Sequence, residues 1–204
     1  MIKLADPIPR PRALLLDMDG TITAPMLDFA RIKREMGIGA QPILEAMAAM
    51  NKADRAAAEA VLARHEDEAA ERCSLNHGCD QLLAWIAEHG IVTALITRNT
   101  RASVQTVLAT HGLSFGTLIA REDAPFKPDP RPLRLACERL GVEPADAWMV
   151  GDGQYDVEAG RAAEVRTVWV SHNRPRTFDA VPWRTVRDLR ELVDLLQSCV
   201  AARA

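Results

Sequence analysis

The chain has 204 residues, of which 48% are hydrophobic and 26% charged, with a net charge of −3. That is the composition of a globular protein with one core domain and room for a modest insertion. It argues against a nucleic-acid surface and a polybasic membrane patch, and no apolar run is long enough to span a bilayer.

Residues 1–11, with Pro7, Pro9 and Pro11, read as an extended arm and not as a secretion signal. The apolar run Ala13–Leu16 is too short for a helix and reads as a buried parallel strand. It ends in Asp17-Met18-Asp19-Gly20-Thr21. From 25 to 75 the chain is rich in Ala, Met, Glu and Arg at helical spacing, predicting helices over 26–36, 41–50 and 53–72, the last capped by Asn51. From 79 onward helix and strand alternate. Helices are predicted at 79–89, 101–111, 130–140, 155–163 and 187–200, and strands at 91–96, 117–120, 147–150 and 165–170. His89-Gly90 and His111-Gly112 read as helix ends. The loop 171–183, with Arg174 and Arg176, has no assignment. Strands alternating with helices predict an α/β fold, a doubly wound parallel sheet with right-handed crossovers. The domain expectation is a sheet domain over 12–24 and 76–204, with residues 25–75 forming a small inserted all-helical domain.

The strand ends carry the chemistry. Two carboxylates, Asp17 and Asp19, follow the first strand; Thr97, Arg98 and Asn99 follow the second. Lys127-Pro128-Asp129-Pro130 comes after the third, and Gly151-Asp152-Gly153-Gln154-Tyr155-Asp156 after the fourth. In a parallel sheet these ends converge on one edge, where ligands bind. Like charges about 4 Å apart repel by roughly 4 kcal/mol at an effective dielectric near 20. A hard divalent cation such as magnesium is the natural compensation. Gly20 allows a sharp turn or a close approach of the backbone. Alternatives stand beside these readings: an ordinary Asp-Gly turn at Asp19-Gly20, Thr97 as a helix cap, Asp156 as a helix N-terminal charge, and Arg98 as a surface residue.

On these four motifs the chain resembles the haloacid dehalogenase superfamily, and within it the phosphoglycolate-phosphatase-like phosphatases. The resemblance implies a Rossmann-like core, a magnesium-dependent phosphomonoester hydrolase and an aspartyl-phosphate intermediate. It makes Asp17 the nucleophile and Asp19 the acid/base. Magnesium would be held by Asp17, Asp152 and the Asp19 backbone carbonyl. Lys127, Thr97, Gly20 and the N–H groups near Met18 would hold phosphoryl oxygens, and Asp156 would orient Lys127 or a metal-bound water. Members of this group often carry Asn directly after the motif-two Thr. Here Arg98 intervenes and Asn99 comes one later, so both are candidate substrate contacts. The helical insertion sits where one subclass carries its cap, and is short for that type. In it Arg31, Lys33 and Arg34 read as a solvated helix face, and Met26, Met36, Met47 and Met50 as core and hinge packing.

The expected substrate is a small phosphorylated metabolite, with neither nucleic acid nor membrane as partner, in a monomer or homodimer. A phosphomutase, a dehalogenase and a non-catalytic binding protein are the rival readings. The four cysteines, Cys73, Cys79, Cys137 and Cys199, form no CxxC pair and read as reduced thiols of a cytoplasmic protein.

Overall fold

A computed structural model describes residues 8–201, with side chains described through Cys199. Residues 1–7 of the expected arm lie outside the described residues. In chain order the elements are β1 (Ala13–Leu16), α1 (Phe29–Glu35), α2 (Ile43–Ala48), α3 (Lys52–Arg72), α4 (Cys79–Glu88), β2 (Val92–Ile96), α5 (Arg101–His111), β3 (Thr117–Ile119), α6 (Arg131–Leu140), β4 (Ala147–Gly151), α7 (Gln154–Ala163), β5 (Arg166–Val170), β6 (Arg184–Val186) and α8 (Leu189–Ala201). Among the described residues no helix is long and apolar enough to cross a membrane.

The six strands form one parallel sheet in the order β3-β2-β1-β4-β5-β6. β1 lies at the centre because all four of its side chains are apolar and fully buried, so both faces can be covered. The chain leaves β1 toward β3, then returns and leaves β4 toward β6. Right-handed crossovers in opposite directions put helices on opposite faces. On one face α6 and α7 cover Ala13, Leu15, Ala94, Ile96 and Met149, using Leu133, Ala136, Ala159 and Ala163. Leu14, Leu16 and Trp148 alternate to the other face. The winding puts α4 there, and α8 packs on α4.

The chain separates into two compact units. The sheet unit runs to Ala24 and resumes over Ser74–Arg98 and from Ser114 onward; the helical unit is Pro25–Cys73 with Asn99–Leu113. The expectation put the inserted helical domain at 25–75 and the helix at 101–111 with the sheet; the helical unit also takes in α5. Its start explains why: Thr100 N donates to buried Glu66 Oε2 at 3.2 Å, and Ser103 Oγ to Asp67 Oδ1 at 2.8 Å, both on α3.

Within the helical unit Glu35 at the end of α1 is the main polar tie. Its carboxylate accepts from Arg31 Nε at 2.9 Å, takes Arg64 from α3, and lies 3.0 Å from buried His65 Nε2. Arg31 and Lys33 thus spend their charge locally, Lys33 on the Ala40 carbonyl. Met47 is buried in α2, but Met26 is 44% exposed, because α1 starts only at Phe29, after the Asp28 cap. Asn51 caps α3 as expected, and Thr100 rather than Thr97 caps α5. The one strand missed in the sequence is β6. It has three residues, Arg184-Thr185-Val186, of which only Val186 is buried, so no apolar pattern marks it. All four cysteines are free, and Cys73 alone of them is not fully buried.

Leu15→Ala is expected to cost about 2–5 kcal/mol, because β1 is covered on both faces and cannot collapse onto a cavity. A urea midpoint that stays at the wild-type value rules out this central role. The His65, Arg64 and Arg31 contacts hold Glu35 down to about 2 from an ordinary 4.5. A depressed carboxylate contributes stability above its unfolded value and loses it as pH falls through the folded one. Carboxyl carbon NMR should therefore place the Glu35 midpoint near 2; a midpoint at the ordinary value removes this tie.

Candidate active site

Backbone pairing carries Asp17 one residue past β1. Its N–H donates to the Val150 carbonyl at 2.9 Å, which sets it beside the end of β4. The chain then folds back on itself. Thr21 N and Thr23 N both donate to the Met18 carbonyl, and Gly20 N donates to Thr23 O at 2.8 Å. Asn76 Nδ2 closes this turn from outside, bonding the carbonyls of Thr21 at 2.9 Å and Thr23 at 3.0 Å. Gly20 is needed on two counts. Its φ is +79°, and a Cβ there would stand 2.4 Å from Asp152 Oδ2. Gly151 is as constrained, since its Cβ would meet the Asp156 carboxyl carbon at 2.2 Å. The small residues beside the acids let the carboxylates approach one another.

Lys127 stands among them and is 2% exposed. Its Nζ donates to Asp17 Oδ1 at 2.6 Å, to Asp156 Oδ1 at 2.6 Å and to the Ile96 carbonyl at 2.9 Å. These three bonds use all three ammonium protons. Lys127 therefore joins the ends of β1 and β2 to the first turn of α7 through one cation. Asp156 Oδ2 accepts from Gly153 N at 3.0 Å, so Asp156 both orients Lys127 and serves the start of α7.

Each of Asp17, Asp152 and Asp156 offers an oxygen within 4.8 Å of the other two. Burial raises the Asp17 carboxyl well above its ordinary 3.8; Lys127 opposes this, while Asp156 and Asp152 add to it. Burial likewise raises Asp152, against the Arg174 contact. Burial disfavours the charge on Lys127, but Asp156 and Asp17 outweigh it and hold the ammonium cationic. Three crowded carboxylates facing the Lys127 ammonium and the half-exposed Arg174 guanidinium leave a negative excess, and a hard divalent ion with oxygen ligands fits that set. Asp156 spends both oxygens on Lys127 and Gly153, so Asp17 and Asp152 are the fitting side-chain ligands. Asp19 is half-buried in the turn after β1.

Thr97 is buried at the end of β2, its N–H on the Ile119 carbonyl at 3.0 Å. Arg98 is no ordinary surface residue: its guanidinium lies 4.1 Å from the Tyr155 ring centre and 5.0 Å from that of Phe126, with its carbonyl accepting from Arg121. Asn99 is buried and falls in the helical unit, so the sheet unit alone does not bring it to these groups. Sequence motifs do not single out three contributors to the site: Asn76, His172 and Arg174. Arg174 Nη2 bonds Asp152 Oδ2 at 2.8 Å, and His172 Nε2 is 2.6 Å from the Gly20 carbonyl. Two of the three carry a signal. Ser171-His172-Asn173-Arg174 stands directly after the strand predicted at 165–170, the same position relative to a parallel strand that marks the acids. Asn76 has no such signal.

Asp17→Asn leaves Lys127 its partner Asp156 while removing one crowded buried charge. In chelator the variant is expected to be more stable than wild type by about 1 kcal/mol, read from its melting temperature. A lower melting temperature means that the Lys127–Asp17 pair outweighs the burial cost.

Residues 24–170 match the family model for haloacid dehalogenase-like hydrolases. That match begins after Asp17 and Asp19, so the geometry of the first motif is independent of it. The chain is 32% identical over 179 residues to a phosphoglycolate phosphatase of Cupriavidus necator, covering 75% of this chain and 78% of that one. It is 31% identical over 187 residues to an N-acetylmuramic acid 6-phosphate phosphatase of Pseudomonas putida, with 80% and 84% covered. Among solved structures, a hydrolase from Pseudomonas syringae has the same fold, with a TM-score of 0.76 at 16% identity over 91% of this chain and 97% of that one. A parallel sheet with acids at its switch point and a model match over most of its length show that the chain belongs to the haloacid dehalogenase-like hydrolase family.

Proposed function

We propose that the protein is a magnesium-dependent phosphomonoester hydrolase that works through an aspartyl-phosphate on Asp17 and acts on a small phosphorylated metabolite in the cytoplasm. The observation that carries this reading is the single ammonium of Lys127 bonding Asp17, just after β1, at 2.6 Å and Asp156, in the first turn of α7, at 2.6 Å. Relatives named as phosphatases for two different phosphorylated small molecules support the reaction class.

Asp17 is the nucleophile. Lys127 fixes one of its oxygens, so the other is presented toward the substrate in one orientation. Asp19, two residues on, donates a proton to the leaving oxygen and later takes one from the attacking water. Asp17, Asp152 and the Asp19 carbonyl would hold magnesium, which would supply neutralisation of the phosphoryl charge that otherwise repels an anionic nucleophile. Lys127 holds positive charge beside the phosphoryl site, and its three existing bonds make it a fixed charge rather than a mobile clamp. Thr97, Gly20 and the Met18 N–H complete the phosphoryl contacts in this scheme. Arg98, stacked on Tyr155 and Phe126, is a contact for the remainder of the substrate. Residues 25–75 serve as the cap that selects the substrate.

The test is phosphate release from an aryl phosphate with and without magnesium. Turnover is expected only with magnesium. Asp17→Asn should reduce it to background, and Asp19→Asn by about 10²–10⁴-fold. Turnover that survives in Asp17→Asn removes the aspartyl nucleophile from the scheme.

A further inference from the structure

The turn Ser171–Arg174 comes after β5 and touches two motifs far from it in sequence. Its two central residues, His172 and Asn173, have φ of 50° and 60°, and Arg174 N donates to the Ser171 carbonyl at 2.9 Å. Left-handed backbone at two successive residues is uncommon outside glycine, although His and Asn tolerate it better than most. The turn is not loose. Ser171 N donates to Val186 O at 2.8 Å and His172 N to Arg187 O at 2.9 Å, which ties it to β6 and the residue after it. Arg174 Nε returns to the Ser171 carbonyl at 3.2 Å, which fixes the arginine stem along the turn.

From this platform the turn holds Asp152. Arg174 Nη2 donates to Asp152 Oδ2 at 2.8 Å and reaches its backbone carbonyl at 3.4 Å. Trp169 Nε1, from β5 itself, donates to the same carbonyl at 2.9 Å. On its other side the carboxylate lies against Gly20, and His172 Nε2 stands 2.6 Å from the Gly20 carbonyl. Asp152 is thus pinned between the first-motif turn and the turn after β5, with one oxygen taken by Arg174. The Arg174 side chain is 52% exposed, and an ion pair that open contributes little to stability. The contact acts on geometry instead. Charge alone would set Arg174 against a cation, so orientation and charge make opposite predictions.

We propose, resting on the metal-dependent function of the site, that Arg174 is a positioning residue: it takes one oxygen of Asp152 so that the other is presented to the divalent cation, and thereby sets the site's affinity for that cation. Partners that orient a ligand in this way typically change metal affinity 10–100-fold.

Manganese binding to the purified full chain, followed without substrate by the loss of the free-ion spin resonance signal, tests this directly. Arg174→Ala is expected to bind manganese at least about tenfold more weakly than wild type. Arg174→Lys, which keeps the charge and loses the fork, should also weaken binding. The apparent KM for magnesium in aryl phosphate hydrolysis should rise in parallel, with kcat at saturating magnesium little changed. Melting temperatures in chelator should match wild type and so separate this from a loss of fold. Equal or tighter manganese binding by Arg174→Ala, or a fall in kcat with unchanged metal affinity, overturns the proposal. Wild type that binds no manganese, with Asp152→Asn as the control, removes the metal-dependent function itself and this inference with it.

Discussion

One buried ammonium organises the sheet end. Asp17, Asp152 and Asp156 are brought within reach of one another where water is largely excluded, and such a set is unstable without a cation. Lys127 supplies one, with all its protons committed to Asp17, Asp156 and the Ile96 carbonyl. Those partners come from two strand ends and the first turn of α7, so the lysine also fixes how these segments meet. Its charge does not balance three carboxylates. A divalent ion fits the negative excess that remains after Lys127 and Arg174, and burial raises the Asp17 and Asp152 carboxyls above their ordinary values.

The glycines belong to the same constraint. Charged groups repel, and only close packing of their backbone supports brings them together. Gly20 and Gly151 do this by having no side chain where Asp152 and Asp156 need to stand. The turn after β1 is in turn braced by Asn76, from just before α4, and by His172, from just after β5. The acids are thus held from behind by groups that do no chemistry themselves. Rigid backing of this kind is what allows a carboxylate to act as a nucleophile or ligand in one orientation.

Much of this was legible in the chain itself. Ala13–Leu16 reads as a buried strand, because four apolar residues in a row are too few for a helix. The order of strands and helices from residue 79 points to a parallel sheet with right-handed crossovers, and the strand order within it came from the structure. Asp17, Lys127 and Asp156 could be assigned to one edge because each comes after a strand. Other residues were not legible, for physical reasons. The strand at Arg184–Val186 forms only because β5 offers it an edge, and its own side chains carry no pattern. Helix α5 groups with the inserted helices through Glu66 and Asp67, two acids that in sequence look like any others on an exposed helix. Met26 looked like core and is exposed, because the helix it was assigned to starts three residues later.

The sequence by itself determined the fold class and the chemical inventory, since both depend on local pattern: apolar runs, their period, and which residue types end them. Only the tertiary structure decided how the inventory is wired. That Lys127 spends three protons on two acids and a carbonyl, that Arg98 lies between Phe126 and Tyr155, and that Arg174 holds Asp152, all depend on distances between segments far apart in the chain. Hydrogen bonds and ion pairs act over a few ångströms and leave no period in the sequence, so they become visible only when the strands have been brought side by side.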